Sequence, residues 1–126
     1  MTETNGNGKM VVVCNHADAP HVMPTLIMSA SGVSLGDEVI VFFCPGGAPV
    51  LVKGELEKIR DMHLKGLPDP VQLYDDIVSQ GGRIILCEMA LENKGITPED
   101  VRDGVEIMSA PSFLLDAQDA GLSLVF

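Results

Sequence analysis

Three short runs constrain this chain more than anything else in it: KMVVVC at residues 9–14, DEVIVFFC at 37–44 and GGRIILC at 81–87. Each is rich in β-branched residues and apolar on both sides of its two-residue period. That is the pattern of a strand covered on both faces, as in a parallel sheet. The segments between them are helix-compatible. HVMPTLIMSASGVSLG (21–36) repeats Met23, Leu26, Ile27, Ala30 and Val33 at helical spacing, and Pro20 and Pro24 each suit a first turn. Residues 48–62 read as short helical pieces broken at Gly54. Asp69 and Pro70 then open a helix whose apolar stripe is Val71, Tyr74, Ile77 and Val78, with Asp75 and Asp76 facing water. VEIM (105–108) and LSLVF (122–126) are further strands, separated by a helix from Ser109 and Pro111 through Gln118. Strands alternating with helices predict an α/β three-layer sandwich on a mostly parallel sheet of about five strands. Residues 9–126 are expected to form one domain, after a flexible tail at 1–8 rich in Gly, Asn and Thr.

Charge and composition exclude several functions. Eight Lys plus Arg against eighteen Asp plus Glu leave a formal charge of -10, a field that repels phosphate backbones, so no nucleic acid is expected as a partner. The longest apolar run, VIVFFC, is far too short to span a membrane, and the polar MTETNGNGK gives no expectation of a signal peptide. Three cysteines, an odd number in a chain of 126 residues, do not suggest a disulfide framework and fit a reducing compartment, by default the cytoplasm. There is no G-x-G-x-x-G after the first strand, no Walker lysine motif and no G-x-S-x-G elbow. No cofactor is expected.

The positions of those cysteines carry the most information. Cys14, Cys44 and Cys87 each end one of the first three strands, so all three fall at the carboxyl edge of the sheet, where ligands and catalytic groups gather in α/β folds. The three thiols are expected on the same side. Cys87 is the candidate nucleophile, because EMALENKG after it is compatible with a helical turn whose free N–H groups favour a thiolate, although Glu88 opposes this. The competing reading for each is a buried, inert thiol. Cys14, His16 and Cys44, with Gly46 in the PGGAP turn, are candidates to contact a substrate. CNHADAPH also places Cys14, His16, Asp18 and His21 within eight residues, but at no familiar zinc spacing, and no metal is expected. The helix start near residues 18–24 is a physical possibility for a small anion. His63 reads as a solvent-exposed loop residue.

With these residues in place, VVVCNHADAPHVMPTLIMSASGVSLGDEVIVFFCPGG followed by GGRIILCEMALENKGITPEDVRDGVEIMSAPSFLLDAQDAGLSLVF resembles the DsrE/DsrF-like sulfur-relay proteins over residues 9–126. The specific part is a cysteine after the third strand, then Met89, Gly95 and Ile96, then DGVEIMSAPSFL. The resemblance implies an α/β subunit that forms trimers or hexamers. It also implies that Cys87 holds sulfur as a persulfide or thiosulfonate and passes it to a partner. Some relatives have a second cysteine shortly after the first, but residues 88–100 contain none, and no family role carries over to Cys44. An acidic face suits a small basic sulfur-carrier protein. Two other classes compete with the relay: a thiol-dependent peroxidase using the same cysteine, though without a T-x-x-C context, and a non-enzymatic oligomeric module binding a small ligand. The module would use the carboxyl edge, or the small-residue helix 22–34 for assembly.

Overall fold

The computed structural model describes residues 8–126; the tail expected at 1–8 falls, apart from Gly8, outside the described residues. The elements run β1 (Lys9–Cys14), α1 (Ala19–Ser34), β2 (Glu38–Phe43), a 3₁₀ turn (Ala48–Leu51), α2 (Glu55–Arg60), α3 (Pro70–Ser79), β3 (Arg83–Cys87), α4 (Met89–Asn93), a 3₁₀ turn (Pro98–Asp100), β4 (Val105–Met108), α5 (Ala110–Ala117) and β5 (Leu122–Val125). The five strands form one sheet in the order β4-β3-β2-β1-β5, with every pairing parallel. This is the three-layer α/β architecture expected from the strand runs.

The strand order determines how the two faces are covered. From β1 through β4 the chain steps across the sheet in one direction, and right-handed crossovers place all those connections on one face. The connection from β4 to β5 travels back, so α5 lands on the other. The core divides accordingly. On the first face Val12, Val41, Phe43, Ile84 and Leu86 pack with Val22 and Leu26 of α1, Leu56 and Ile59 of α2, and Tyr74 and Ile77 of α3. On the second, Val11, Ile40, Phe42, Ile85 and Cys87 pack under a single buried residue of α5, Phe113.

Local chemistry explains the element ends. The Asp69 carboxylate accepts from Val71 N at 2.8 Å and from Gln72 N at 3.4 Å, capping α3. The same helix stops at Gly81, whose φ of 92° only glycine adopts without strain; Gly82 N then donates to Ile77 O at 2.8 Å. Asp75 is exposed, whereas Asp76 is half-buried and accepts from the Gln72 amide at 2.8 Å. Helix α1 begins at Ala19 and runs through Pro24. Thr25, Ser29 and Gly32 are turned inward, whereas Ser31 and Ser34 are exposed. Thr25 and Ser29 are fully buried and donate to His21 O at 2.7 Å and Thr25 O at 2.6 Å, and a side chain at Gly32 would sit 2.6 Å from Met10 Cε. These three serve close packing on β1 and β2.

Candidate functional site

At the carboxyl edge the period of two in each strand decides which cysteines meet. β2 and β3 pair from Ile40↔Arg83 to Phe43↔Leu86, so Cys44, one residue past β2, lies opposite Cys87. Side chains of register partners in a parallel pair point to the same face, and both thiols belong to the α5 side. Cys14 pairs with Phe43 and turns to the opposite face, into the main core. The three thiols therefore share an edge but not a face. The strand ends alone predict the edge; the faces depend on Cys44 falling one residue beyond its strand.

Cys14 is completely buried, and its thiol donates to His16 O at 3.2 Å. Its carbonyl accepts from Cys44 N at 3.0 Å, which ties β1 to the start of the glycine turn. In that turn Cys44 O accepts from Gly47 N at 2.9 Å and Ala48 N at 3.0 Å, while Gly46 N donates to Asn15 Oδ1 at 3.2 Å. A side chain at Gly46 would run into the Asn15 backbone, and one at Gly47 would sit 2.6 Å from Cys14 O. The glycines therefore make the close backbone approach their sequence suggests. Burial, and then the neighbouring Cys87 and Cys14, push the half-buried Cys44 thiol above its ordinary range.

Cys87 is 3% exposed and free of any disulfide. On its other side it pairs with Met108, and Glu88 N donates to Met108 O at 3.0 Å. Cys44, Cys87 and Met108 thus form a row of three sulfur side chains across β2, β3 and β4. Above them lies the start of α5, capped by the Ser109 hydroxyl accepting from Ser112 N at 3.2 Å. Phe113 stacks on Phe42 with ring centroids 4.2 Å apart. Ion pairs hold the other end of the cover: Arg83 to Asp116 at 3.0 Å, and Lys9 to Asp119, just after the helix, at 2.7 Å. Met108, Ala110 and Phe113 are the parts of the site that motif reading missed. The Ser109 cap in MSAPSF, with Phe113 four residues later, was the signal available.

The helical turn expected after Cys87 is α4. Arg83 cannot offset Glu88 beside the thiol, because it lies at the far end of β3, about 13 Å from Cys87 at ~3.3 Å per residue. It is engaged there by Glu106 through two hydrogen bonds of 2.9 Å. His16 is exposed and stacks on His21, ring centroids 3.9 Å apart. Asp18, rather than capping α1, accepts from His21 Nδ1 at 2.8 Å, and this contact holds its carboxyl below the usual carboxylate range. A negative side chain therefore already occupies the helix start considered for an anion. Among the described residues no group of three or more His, Cys, Asp or Glu side chains is arranged to hold a metal ion. Nor is any described helix long and apolar enough to cross a membrane. An apolar groove of about 500 Å³ lies on the α1 side, lined by Met23, Pro24, Ile27, Met62, Leu64 and Leu67, and none of these is a nucleophile. His63 is exposed.

Comparison with known proteins places the fold. The chain superposes on YchN of E. coli with a TM-score of 0.76 at 18% identity, covering 94% of this chain and 99% of that one. It superposes on MTH1491 of Methanobacterium thermoautotrophicum, a protein of unknown function, with a TM-score of 0.64 at 18% identity, over 94% and 97% of the two chains. Both share the three-layer α/β fold of this chain. In sequence the chain is 30% identical over 97 residues to MJ0760, an uncharacterized protein of Methanocaldococcus jannaschii. The match takes in 77% of this chain but spans about a third, 34%, of that relative's length. No family model matches.

Proposed function

We propose that this protein is a sulfur carrier in which the Cys87 thiolate attacks a sulfane sulfur, holds it as a persulfide or thiosulfonate, and yields it to the thiolate of a docking protein. The observation that carries the reading is the position of Cys87: it ends the third strand of a parallel sheet, precedes a helical turn, and lies under the thinly covered face beside a second thiol. The three-layer α/β fold shared with the structural neighbours is compatible with it. The chemistry is thiol exchange, which needs no metal or cofactor, so the protein acts as a carrier with little turnover of its own.

The carrier works as a homo-oligomer, trimer or hexamer, in the cytoplasm. In support, Leu114 and Leu115 of α5 are 58% and 70% exposed, and Leu122 and Val125 of the edge strand β5 are 50% and 73% exposed. A formal charge of -10 favours a small basic protein as acceptor. The buried thiol becomes accessible when the first turn of α5 moves.

Intact-protein mass spectrometry of reduced wild type and Cys87→Ser, each incubated with polysulfide, thiosulfate or tetrathionate, tests the reading. A reducible sulfur adduct on the wild type alone is expected. Equal adducts on both, or none on either, would remove Cys87 from the centre of the account. Peroxide consumption that is lost in Cys87→Ser would favour a thiol peroxidase instead.

A further inference from the structure

Cys44 has no role in the carrier chemistry described so far, yet its position opposite Cys87 is closely defined. Strands β2 and β3 lie about 4.8 Å apart, the ordinary spacing within a sheet, which falls inside the Cα window of about 4.4–6.8 Å for disulfides. Among the described cysteines only these two share a face of the sheet, since Cys14 belongs to the opposite core. Cys44 is also beyond the last β2–β3 register pair, at the first residue of a turn. The two thiols differ in access: Cys87 is nearly sealed and Cys44 is half-buried.

Resting on the carrier reading above, we propose that Cys44 is a discharging thiol that empties Cys87 when no acceptor has docked. The Cys44 thiolate attacks Cys87 Sγ of the persulfide. A bond forms between the two Sγ atoms, the bond from Cys87 Sγ to the sulfane sulfur breaks, and that sulfur leaves with its proton as hydrosulfide. The two cysteines together lose two electrons, the sulfane sulfur gains them, and the proton of the Cys44 thiol passes to water. The product is a Cys44–Cys87 disulfide that accepts no further sulfur until a small external thiol or dithiol reduces it. Because burial and its neighbours keep Cys44 largely protonated, discharge is slow compared with handover to a docked acceptor, and operates only on carriers left loaded.

The experiment uses the full chain as wild type, Cys44→Ser and Cys44→Ala, reduced and freed of small thiols. Diamide, a thiol oxidant that supplies no sulfur, is applied first, and peptides are mapped without reduction. A Cys44–Cys87 disulfide is expected in the wild type. A link to Cys14, or no link, overturns the pairing. Separate samples are then loaded with sodium polysulfide and followed by intact mass and released sulfide. The wild type is expected to release its sulfur as sulfide while forming the disulfide. Both Cys44 variants should retain it on Cys87 about tenfold longer. Equal release from all three overturns the discharge role while leaving the carrier reading intact. If diamide closes the disulfide but no protein takes up sulfur, the carrier reading itself fails, and discharge with it.

Discussion

The two faces of the sheet are built to different thicknesses. One is covered by α1, α2, α3 and the turns around α4, and its core includes Phe43, Leu26, Leu56, Ile77 and Leu86, all at most 1% exposed. The other is covered by eight residues of α5, of which Phe113 alone is buried. Stability is concentrated on the first face, and the paired thiols lie on the second. A thin cover pinned by ion pairs at one end, and held at the other mainly by one aromatic stack, fits the proposed carrier, whose thiol would be uncovered and resealed. Regions with few buried apolar contacts open at lower free energy than the core.

Deleting the same side chain on each face is the strongest way to break this comparison. Phe43→Ala, on the thick face, should cost about 4 kcal/mol of folding stability, measured by urea denaturation. In that variant the alkylation of Cys87 rises only as far as global unfolding accounts for. Phe113→Ala should cost less, about 3 kcal/mol, because its neighbours can settle toward the thin layer. Here alkylation of Cys87 by iodoacetamide under native conditions should exceed what the stability loss explains. Equal uncovering in the two variants would mean that α5 is no special cover.

A smaller effect sharpens the thick side. The Tyr74 hydroxyl donates to Asp103 O at 2.7 Å, with Arg102 4.9 Å above the ring. Tyr74→Phe should cost about 1 kcal/mol at neutral pH. Burial, partly offset by Arg102, pushes the Tyr74 hydroxyl up to about 12 from 10.0. The folded protein then keeps a proton that the unfolded chain loses, so this contribution is fully present below pH 10 and is lost as pH rises from 10.0 toward 12. Thermal melts across that range should fall less steeply for Tyr74→Phe than for the wild type. The smallest effect concerns the thin face. The pH midpoint for alkylating Cys44 should lie above that of an exposed thiol, and should move down in Cys87→Ser, because a neighbouring negative charge is removed.

Much of this architecture is legible from side-chain periodicity. The doubly apolar runs ending at Cys14, Cys44 and Cys87 identify parallel strands, and Asp69-Pro70 and Ser109 with Pro111 mark helix starts that the structure reproduces. The strand order is not legible, because local propensity carries no information about which neighbour a strand selects. The site shares that limit: strand ends place three cysteines on an edge, but facing depends on the register, in which Cys14 pairs with Phe43 and so lies one residue short of the level of Cys44. The helix α5 is legible from its Ser109 cap, but its role as the cover is not, for a related reason. Phe113 acquires its role only when α5 crosses back over the sheet, and that follows from β5 joining beside β1.

The most direct test is to expose the native wild type to polysulfide, block free thiols, and quantify sulfane sulfur at each cysteine by peptide mass spectrometry. The account predicts sulfur on Cys87 and none on Cys14. Loading of Cys14 to the same extent as Cys87 would contradict it, because a thiol buried in the opposite core would then be as reactive as the one assigned to carry sulfur.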